Sequence, residues 1–173
     1  MSATRAKLAQ IAAELAQLPF HGNTDGSGSN IAPLIAHFPK WNVQAADKLW
    51  CAAFVYHCCI RAGYEIPYSP DECVTCSLAG CGGFEEFAVA DDRIEYHPAR
   101  SDFAAAPGDI VIFDRVFIHQ AHDHIGIIVG READALIVAE GNVPGTNTSG
   151  IVRRSLDEHI RCYIRFPDGY RYR

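Results

Sequence analysis

The sequence predicts an α+β domain in which a helical layer packs against a mostly antiparallel β-sheet. Two observations lead to this class. Apolar residues recur at helical spacing between residues 3 and 63, whereas short runs rich in β-branched residues follow from residue 109 onwards. Helices that precede the strands, instead of alternating with them, are typical of α+β domains.

Two long helices account for the first part of this pattern. The first is predicted from about Ala3 to Leu18, and Pro19 ends its apolar periodicity. The second is predicted between Asp47, a candidate N-cap, and Gly63, which is of a type that commonly ends helices. Because the interior of the second helix is apolar almost all round, we expect it to be buried.

Short strands account for the second part. They are predicted at residues 109–114, 124–129, 135–140, 150–154 and 160–166, separated by turn residues. A Cys- and Gly-rich segment and a short helix through Phe87 precede them.

The composition is that of an ordinary globular domain. Its 173 residues include 15 Lys and Arg and 21 Asp and Glu, which gives a net charge of −6. Because this charge supplies no general basic field, we expect no nucleic acid and no anionic membrane as partner. The length suits one domain at 1–173, with an N-terminal helix and loop at 1–40 and a core at 41–166.

The N-terminal segment does not have the pattern of a signal peptide. Arg5, Lys7, Gln10 and Glu14 interrupt the continuous apolar run that such a peptide needs. No run approaches the roughly 18 apolar residues of a membrane span. We therefore expect the protein to be cytoplasmic as synthesised.

Seven cysteines are present, and Cys51 differs from the others in its place. The odd count in an otherwise standard composition favours free thiols over a disulfide framework. Cys51 falls in the first turn of the predicted buried helix, where unpaired N–H groups stabilise a thiolate and can receive an oxyanion. A small buried side chain without chemistry is the alternative interpretation of this cysteine.

A histidine and a carboxylate could complete such a site. His124 opens one predicted strand, and Glu140 closes the next. If these strands form a hairpin, the two side chains lie near each other, and Glu140 or Asn142 can fix the imidazole tautomer. Structural roles at strand ends are the alternative, and His119 and His122 are expected to be solvated loop residues.

Two further patterns are weak indications of a metal. Asn23, Asp25 and Ser27 faintly copy the start of a calcium loop, but Leu34 stands where its acidic ligand is required. We therefore expect a plain loop at this point.

The second pattern is Cys73-x-x-Cys76, followed by Cys81. It lacks the second Cys or His pair of a zinc site, and a redox pair is a further alternative. Buried or loop thiols without a metal are the favoured interpretation.

Four motifs occur in order along most of the chain. They are Trp-Cys-Ala-Ala-Phe-Val at 50–55, Pro-Gly-Asp-Ile-Val-Ile-Phe at 107–113, His-Ile-Gly-Ile-Ile-Val at 124–129 and Glu-Gly-Asn at 140–142. Together they resemble the CHAP family of cysteine, histidine-dependent amidohydrolases and peptidases, within the NlpC-type papain-like cell-wall peptidases. The similarity extends from about residue 41 to residue 166.

The resemblance implies a papain-like fold, with the nucleophile at a helix N-terminus packed on a mostly antiparallel sheet of five to six strands. It implies that Cys51 is the nucleophile, His124 the general base and Glu140 the residue that orients the imidazole. Asn142 is a further polar group near the site, and Asp109 is structural. The implied reaction is hydrolysis of an amide in the stem peptides or the muramoyl-peptide junction of bacterial peptidoglycan, through an acyl-enzyme and without metal or cofactor.

Several alternatives stay open at this point. Trp41 and Trp50 are candidates for lining a substrate groove, although Trp50 fits a core position equally well. The family usually carries an export signal or a wall-binding module, and neither is recognised here, so delivery to the wall by another route is expected. The same chemistry on a cytosolic amide or in acyl transfer is the second hypothesis, and a catalytically silent peptide- or glycan-binding module is the third. The oligomeric state is not predicted.

Overall fold

The computed structural model describes residues 3–18, 20–24, 26, 28–99 and 101–173. In chain order these residues form helices and strands at α1 (Ala3–Gln17), α2 (Ala32–Ile35), α3 (Val43–Ala46), α4 (Cys51–Ala62), α5 (Cys81–Ala90), β1 (Glu95–Pro98), β2 (Ile110–Phe113), β3 (His124–Arg131), β4 (Ala135–Glu140), β5 (Gly150–Ser155) and β6 (Ile160–Arg165). The predicted α+β class is confirmed. The short helices α2 and α3 and the strand β1 were not predicted.

The strands form one antiparallel sheet in the order β1-β6-β2-β3-β4-β5. β2 is fully buried, because its Ile-Val-Ile-Phe sequence is apolar on both faces of the sheet. β3 and β4 pair as a hairpin with Ile127 opposite Ala139, which is the arrangement on which the meeting of His124 and Glu140 depends.

The helices and one face of the sheet share one large apolar core. Leu8 and Ala12 of α1 have no exposed surface, and α1 packs against α4 and against β3 to β5. The N-terminal helix is therefore part of the same core as the rest of the chain. Leu18, which the apolar pattern included, is 49% exposed, because α1 ends at Gln17.

A smaller apolar cluster lies apart from this core. It includes Val111 and Phe113 of β2, Val138 of β4 and Tyr163 of β6, and Phe103 packs against it from outside the sheet. Because residues of β2, β3 and β4 belong to both clusters, these three strands lie between apolar layers. This burial explains why their sequences are nearly continuous apolar runs.

The start of α4 differs from its prediction. Asp47 is not the N-cap: Trp50 occupies that position, and the Asp47 carboxylate instead accepts hydrogen bonds from the Asn23 N–H at 3.0 Å and the Asn147 side chain at 2.7 Å. At the other end the prediction is confirmed. Gly63 adopts the left-handed conformation, with φ of 105°, and ends the helix.

Asp109 has the structural environment that the sequence indicated. Its buried carboxylate accepts the Ala106 N–H at 2.8 Å and two hydrogen bonds from the Arg165 guanidinium, at 2.8 and 2.7 Å. A bidentate pair of this kind links the turn before β2 to β6.

Within the ranges that the structure describes, no helix is both long and apolar enough to cross a membrane. The same residues contain no group of three or more His, Cys, Asp or Glu side chains that could hold a metal ion. Asp25 and Ser27 of the weak calcium-loop pattern, and Pro19, lie outside the described residues.

Candidate active site

Cys51 is the first residue of α4, and the apolar sequence of that helix explains its position. Because α4 is buried almost all round, it packs against α1 and β3 and brings its N-terminus to the sheet. The first N–H groups of a helix have no acceptor within the helix, so they are directed towards this end. The Cys51 side chain lines a cavity of about 350 Å³.

His124, the first residue of β3, is fully buried. Its Nε2 donates to Oε2 of Glu140 at 2.8 Å. Its Nδ1 is buried and has no hydrogen-bond partner among the described residues, which leaves this nitrogen for the Cys51 thiol. The rings of Phe113 and Phe117 stack near the imidazole, with centroid distances of 6.4 and 6.1 Å, and shield it from water.

Glu140 ends β4 and binds two partners. Besides His124, its carboxylate accepts two hydrogen bonds from the guanidinium of Arg154 on β5, at 2.7 and 2.6 Å. The side chain of Glu140 is fully buried, and a buried carboxylate needs such pairing. Arg154 was missed by the sequence analysis, and the only signal for it was a charged residue in the strand after the Glu-Gly-Asn motif.

Gly126 provides the space that Glu140 needs. Continuing the Ile127 to Ala139 register by one position places Gly126 opposite Glu140. A Cβ atom at Gly126 would lie 3.0 Å from Cγ of Glu140 and 2.4 Å from Cγ1 of Val138. The glycine in His-Ile-Gly therefore lets the carboxylate lie against β3, close to the histidine.

The pKa shifts in this site favour a charged pair. A hydrogen bond from the Cys81 thiol lowers the pKa of Cys51 well below its ordinary value; burial opposes this, and the His124 ring and the Ala52 N–H add to it. Burial would lower the pKa of His124, but interactions with Cys51 and Glu140 outweigh it and raise the value to about 9. The arrangement favours a Cys51 thiolate beside a His124 imidazolium.

The other buried cysteines show the opposite behaviour. Burial raises the pKa of Cys58 and Cys162, and raises that of Cys59 to about 12. Cys51 is also buried, with 7% of its surface exposed, and burial by itself would raise its pKa as it does for Cys58 and Cys59. Its neighbours distinguish it.

Cys81 is the neighbour that the sequence analysis did not find. The expectation for Cys81 is a buried or loop thiol without a specific role, but Cys81 is the first residue of α5, and its Sγ lies 3.8 Å from Sγ of Cys51. The one sequence signal is the short helix expected through Phe87. Nothing in the local pattern indicates that this helix begins at Cys81 or that Cys81 contacts Cys51.

Asn142 connects β4 to the segment before the nucleophile. Its Nδ2 donates to the Lys48 carbonyl at 2.7 Å, and its residue adopts a left-handed conformation with φ of 52°. Its Oδ1 is buried and has no partner in the part of the chain that the structure describes. Asn142 thus positions the chain before Cys51 and is also one of the residues that line the cavity.

Gly141 explains the middle position of the Glu-Gly-Asn motif. A Cβ atom there would lie 2.4 Å from Cβ of Phe54 and 2.9 Å from Cζ3 of Trp50. The first turn of α4 therefore presses directly on the backbone after Glu140. This close approach holds the helix that carries Cys51 against the strand end that carries Glu140.

Replacing Gly141 by alanine is expected to lower the free energy of unfolding by about 1–3 kcal/mol, because the new methyl group overlaps Phe54 and Trp50. Urea unfolding followed by circular dichroism measures this change. The matched control is Gly130→Ala on β3, where the nearest atom is Cβ of Ile137 at 3.4 Å, and its change should stay within about 0.5 kcal/mol. Equal unfolding midpoints for the two variants would contradict the close approach.

Two cavities adjoin the site. The first, of about 350 Å³, is lined by Cys51, Trp41, Leu49 and Ile118 among others, and the second, of about 370 Å³, by Thr24, Gly145 and Thr146 among others. Both cavities share Lys48, Phe117 and Asn142 as lining residues. An extended ligand could therefore contact both at once.

The two tryptophans have different environments in the structure. Trp41 lines the first cavity, as a groove residue would. The prediction that Trp50 lines the groove is wrong, because Trp50 has no exposed surface. Its indole N–H donates to Oδ1 of Asn147 at 2.8 Å, so it belongs to the core and supports the start of α4.

His122 was expected to be a solvated loop residue; it does lie in a loop, but its side chain is only 32% exposed and has a partner. Its Nε2 is hydrogen-bonded to Glu85 of α5, whose carboxylate also accepts from Tyr96 at 2.6 Å and Arg161 at 2.6 Å. The network holds the loop before β3 on α5, and His122 lines the first cavity. His119 is exposed, as expected.

The Cys73-x-x-Cys76 segment does not form a metal centre with the residues around it in the described chain. The Cys73 thiol donates to the Gly83 carbonyl at 3.3 Å, and Cys76 is exposed. All seven cysteines are free, in agreement with the expectation from their odd number.

Comparisons with known proteins add a likeness of fold. No protein-family model and no curated protein matches the sequence. Among solved structures, the chain is similar to that in "The crystal structure of Ly7917", with a TM-score of 0.53, 14% sequence identity and coverage of 96% of this chain. The alignment covers 63% of the Ly7917 chain, and at this identity the similarity concerns the fold alone.

Proposed function

We propose that the protein is a cysteine amidase or peptidase with a papain-like arrangement, similar to the CHAP family, that hydrolyses amide bonds of bacterial peptidoglycan through an acyl-enzyme. The observation that carries the proposal is the buried series of Cys51, His124 and Glu140. One nitrogen of His124 is bound to Glu140 at 2.8 Å, and the other is left for the thiol. This is the order of groups that nucleophilic catalysis by cysteine requires.

The first step is attack of the Cys51 thiolate on the substrate carbonyl carbon. A C–S bond forms, and the carbonyl electron pair moves to oxygen. The N–H groups at the start of α4, including that of Cys51, then stabilise the oxyanion. The thiolate is available because its pKa is lowered by Cys81 and by His124.

The second step is departure of the amine. His124, protonated at Nδ1, gives this proton to the leaving nitrogen as the C–N bond breaks, and the thioester remains on Cys51. Water then loses a proton to the neutral imidazole as it attacks the thioester, and the acid product leaves. Glu140 holds the ring throughout, and its bidentate contact with Arg154 keeps it ionised.

The surroundings of the site suit an extended substrate. The two cavities share Asn142 as a lining residue and together provide a path across the nucleophile. The net charge of −6 gives no general attraction for an anionic polymer, so recognition depends on these walls. The choice of peptidoglycan rests on the motif resemblance of the sequence.

The test is digestion of purified peptidoglycan from several bacteria with different stem peptides, followed by mass spectrometry of the soluble products. We expect fragments that have gained one water and carry a new amine and a new carboxylate. Protein that has been alkylated with iodoacetamide serves as the control and should release none.

The same preparation is tested on free peptides and simple amides. If these are hydrolysed and no peptidoglycan gives a product, peptidoglycan is not the substrate, and the cytosolic-amide hypothesis is supported. If no substrate is hydrolysed but muropeptides bind measurably, the proposal that the protein is an enzyme fails, and a catalytically silent binding module is supported.

A further inference from the structure

Two cysteines from different helices meet at the candidate nucleophile. Cys51 and Cys81 are each the first residue of a helix, and their Sγ atoms are 3.8 Å apart. Both are 7% exposed, and both line the cavity of about 350 Å³. The pair is therefore buried but reachable by a small molecule that enters this cavity.

Bond formation requires only a small approach of the two sulfurs. A disulfide needs an S–S distance of about 2 Å, so the gap must shorten by a little under 2 Å. The first turn of α5 is Cys-Gly-Gly, and glycine disfavours the helical conformation by about 1 kcal/mol relative to alanine. Residue 81 also follows Gly80, which provides no side-chain cap to fix this end.

We propose that Cys51 and Cys81 form a reversible disulfide when the protein meets a hydroperoxide, and that this bond switches the site off. Cys81 is the resolving thiol, and Cys51 is the thiol that reacts first. Loss of activity in the oxidised form rests on the proposed function, whereas formation of the bond does not.

The chemistry balances with one hydroperoxide per disulfide. The Cys51 thiolate attacks one peroxide oxygen, the O–O bond breaks, and the departing oxygen takes a proton from the His124 imidazolium, so that the sulfenic acid and one water or alcohol result. The Cys81 thiol then attacks the sulfenic sulfur, the S–S bond forms, and the hydroxyl group leaves as water with the Cys81 proton. Two thiols are oxidised by two electrons, and the peroxide is reduced by two.

The charge state of the pair assigns these roles. The pKa of Cys51 is lowered, while that of Cys81 is raised well above its ordinary value by its hydrogen bond to Cys51 and by burial. The thiolate is the form that attacks peroxide, so Cys51 reacts first. Cys81 remains protonated at the contact distance and is present when the sulfenic acid forms.

Resolution by Cys81 also has a protective consequence. A sulfenic acid without a nearby thiol is oxidised further to the sulfinic acid, which ordinary thiols do not reduce. A disulfide is reduced by an added dithiol. The pair therefore converts an irreversible loss of the nucleophile into a reversible one.

The test is treatment of the full chain with a small excess of hydrogen peroxide, followed by non-reducing peptide mapping with mass spectrometry. We expect a linked peptide that contains Cys51 and Cys81 and lacks two hydrogens relative to its reduced parts. Dithiothreitol should remove the link. This readout needs no substrate, so it separates the proposal from the proposed function.

Two variants complete the test. In Cys81→Ser, peroxide should produce sulfinic acid at Cys51 that dithiothreitol does not reverse, whereas Cys76→Ser should form the same link between Cys51 and Cys81 as the wild type. Cys76 is a matched control because it is an exposed thiol on the wall of the same cavity. With a substrate, the wild type should lose at least about tenfold in rate on oxidation and regain it with dithiol, and Cys81→Ser should not regain it.

Several results would overturn the proposal. A link from Cys51 to Cys76 in place of Cys81, or sulfinic acid at Cys51 in the wild type with no linked peptide, would each do so. If the linked peptide forms but the protein has no hydrolytic activity when reduced, the disulfide stands and the proposed function fails.

Discussion

Replacing Cys51 by alanine is expected to lower the rate of amide hydrolysis by at least about 10⁴-fold. The methyl group cannot form the thioester, so only the N–H groups of α4 and the binding surfaces remain to act. The rate is measured by release of soluble muropeptides at saturating substrate. Substrate binding should persist, because the other residues that line the cavity are unchanged.

The control for this prediction is Cys73→Ser. It removes a half-buried thiol that does not line the cavity and does not touch His124 or α4, and its rate should stay within about twofold of the wild type. A Cys51→Ala variant that retains more than a hundredth of the activity would contradict a covalent mechanism through this residue.

Replacing Glu140 by glutamine is expected to lower kcat/KM by about 10²- to 10⁴-fold and to narrow the pH range of activity. The active form needs the Cys51 thiolate, whose fraction rises with pH, and the His124 imidazolium, whose fraction falls as pH rises through its pKa of about 9. The wild-type profile should therefore decline on the alkaline side near pH 9. The neutral amide no longer supports the imidazolium against burial, so in the variant this decline moves to lower pH.

The change at Glu140 also affects stability, and the experiment has to separate the two effects. Arg154 loses its carboxylate partner, and breaking a buried pair in this way can cost about 3–5 kcal/mol. Circular dichroism and the unfolding midpoint show whether the variant is folded at the assay temperature. The pH at which activity declines on the alkaline side, here called the alkaline limb, does not depend on how much protein is folded, whereas the rate itself does.

Glu132→Gln is the control for a lost ion pair between a carboxylate and β5. Glu132 follows the end of β3 and accepts from Arg153 at 2.8 Å, but both side chains are about half exposed. Its loss should leave the pH profile unchanged and the stability within about 1 kcal/mol. An alkaline limb that stays in place in Glu140→Gln would contradict the role of Glu140 as the group that holds the imidazolium.

Much of the fold followed from local pattern. The helix α4 was predicted from a long apolar run that ends at Gly63, and the strands β2 to β6 from short runs rich in β-branched residues between turn residues. β1 was missed because Glu-Tyr-His-Pro is short and lies at the sheet edge. The short helices α2 and α3 likewise contain too few residues to show a period.

The candidate site was predictable where two groups belong to one hairpin. His124 and Glu140 are joined by a short connection, so the pairing of β3 and β4 was enough to bring them together. Cys51 was marked by its place at the start of a helix. The packing of α4 against β3 then brought the thiol to the histidine.

The remaining contacts join residues whose segments carry no common pattern. Trp50 reaches Asn147, Cys51 reaches Cys81, and these contacts depend on how α4 and α5 pack around the sheet. Burial of Trp50 could not be decided from an aromatic residue beside a cysteine, because a groove wall and a core position have the same local sequence. His122 was placed in solvent because Glu85, its partner, is far away along the chain.

The sequence by itself determined the α+β class, the helix that presents Cys51 and the order of the motifs, because these depend on periodicity and on neighbours along the chain. Only the tertiary structure decided that Arg154 pairs with Glu140, that the missing side chain of Gly141 leaves room for the first turn of α4, and that Cys81 lies beside Cys51. The physical reason is that pairing of charges and thiols depends on distances of a few ångströms between separate elements, and the packing of the whole core fixes those distances.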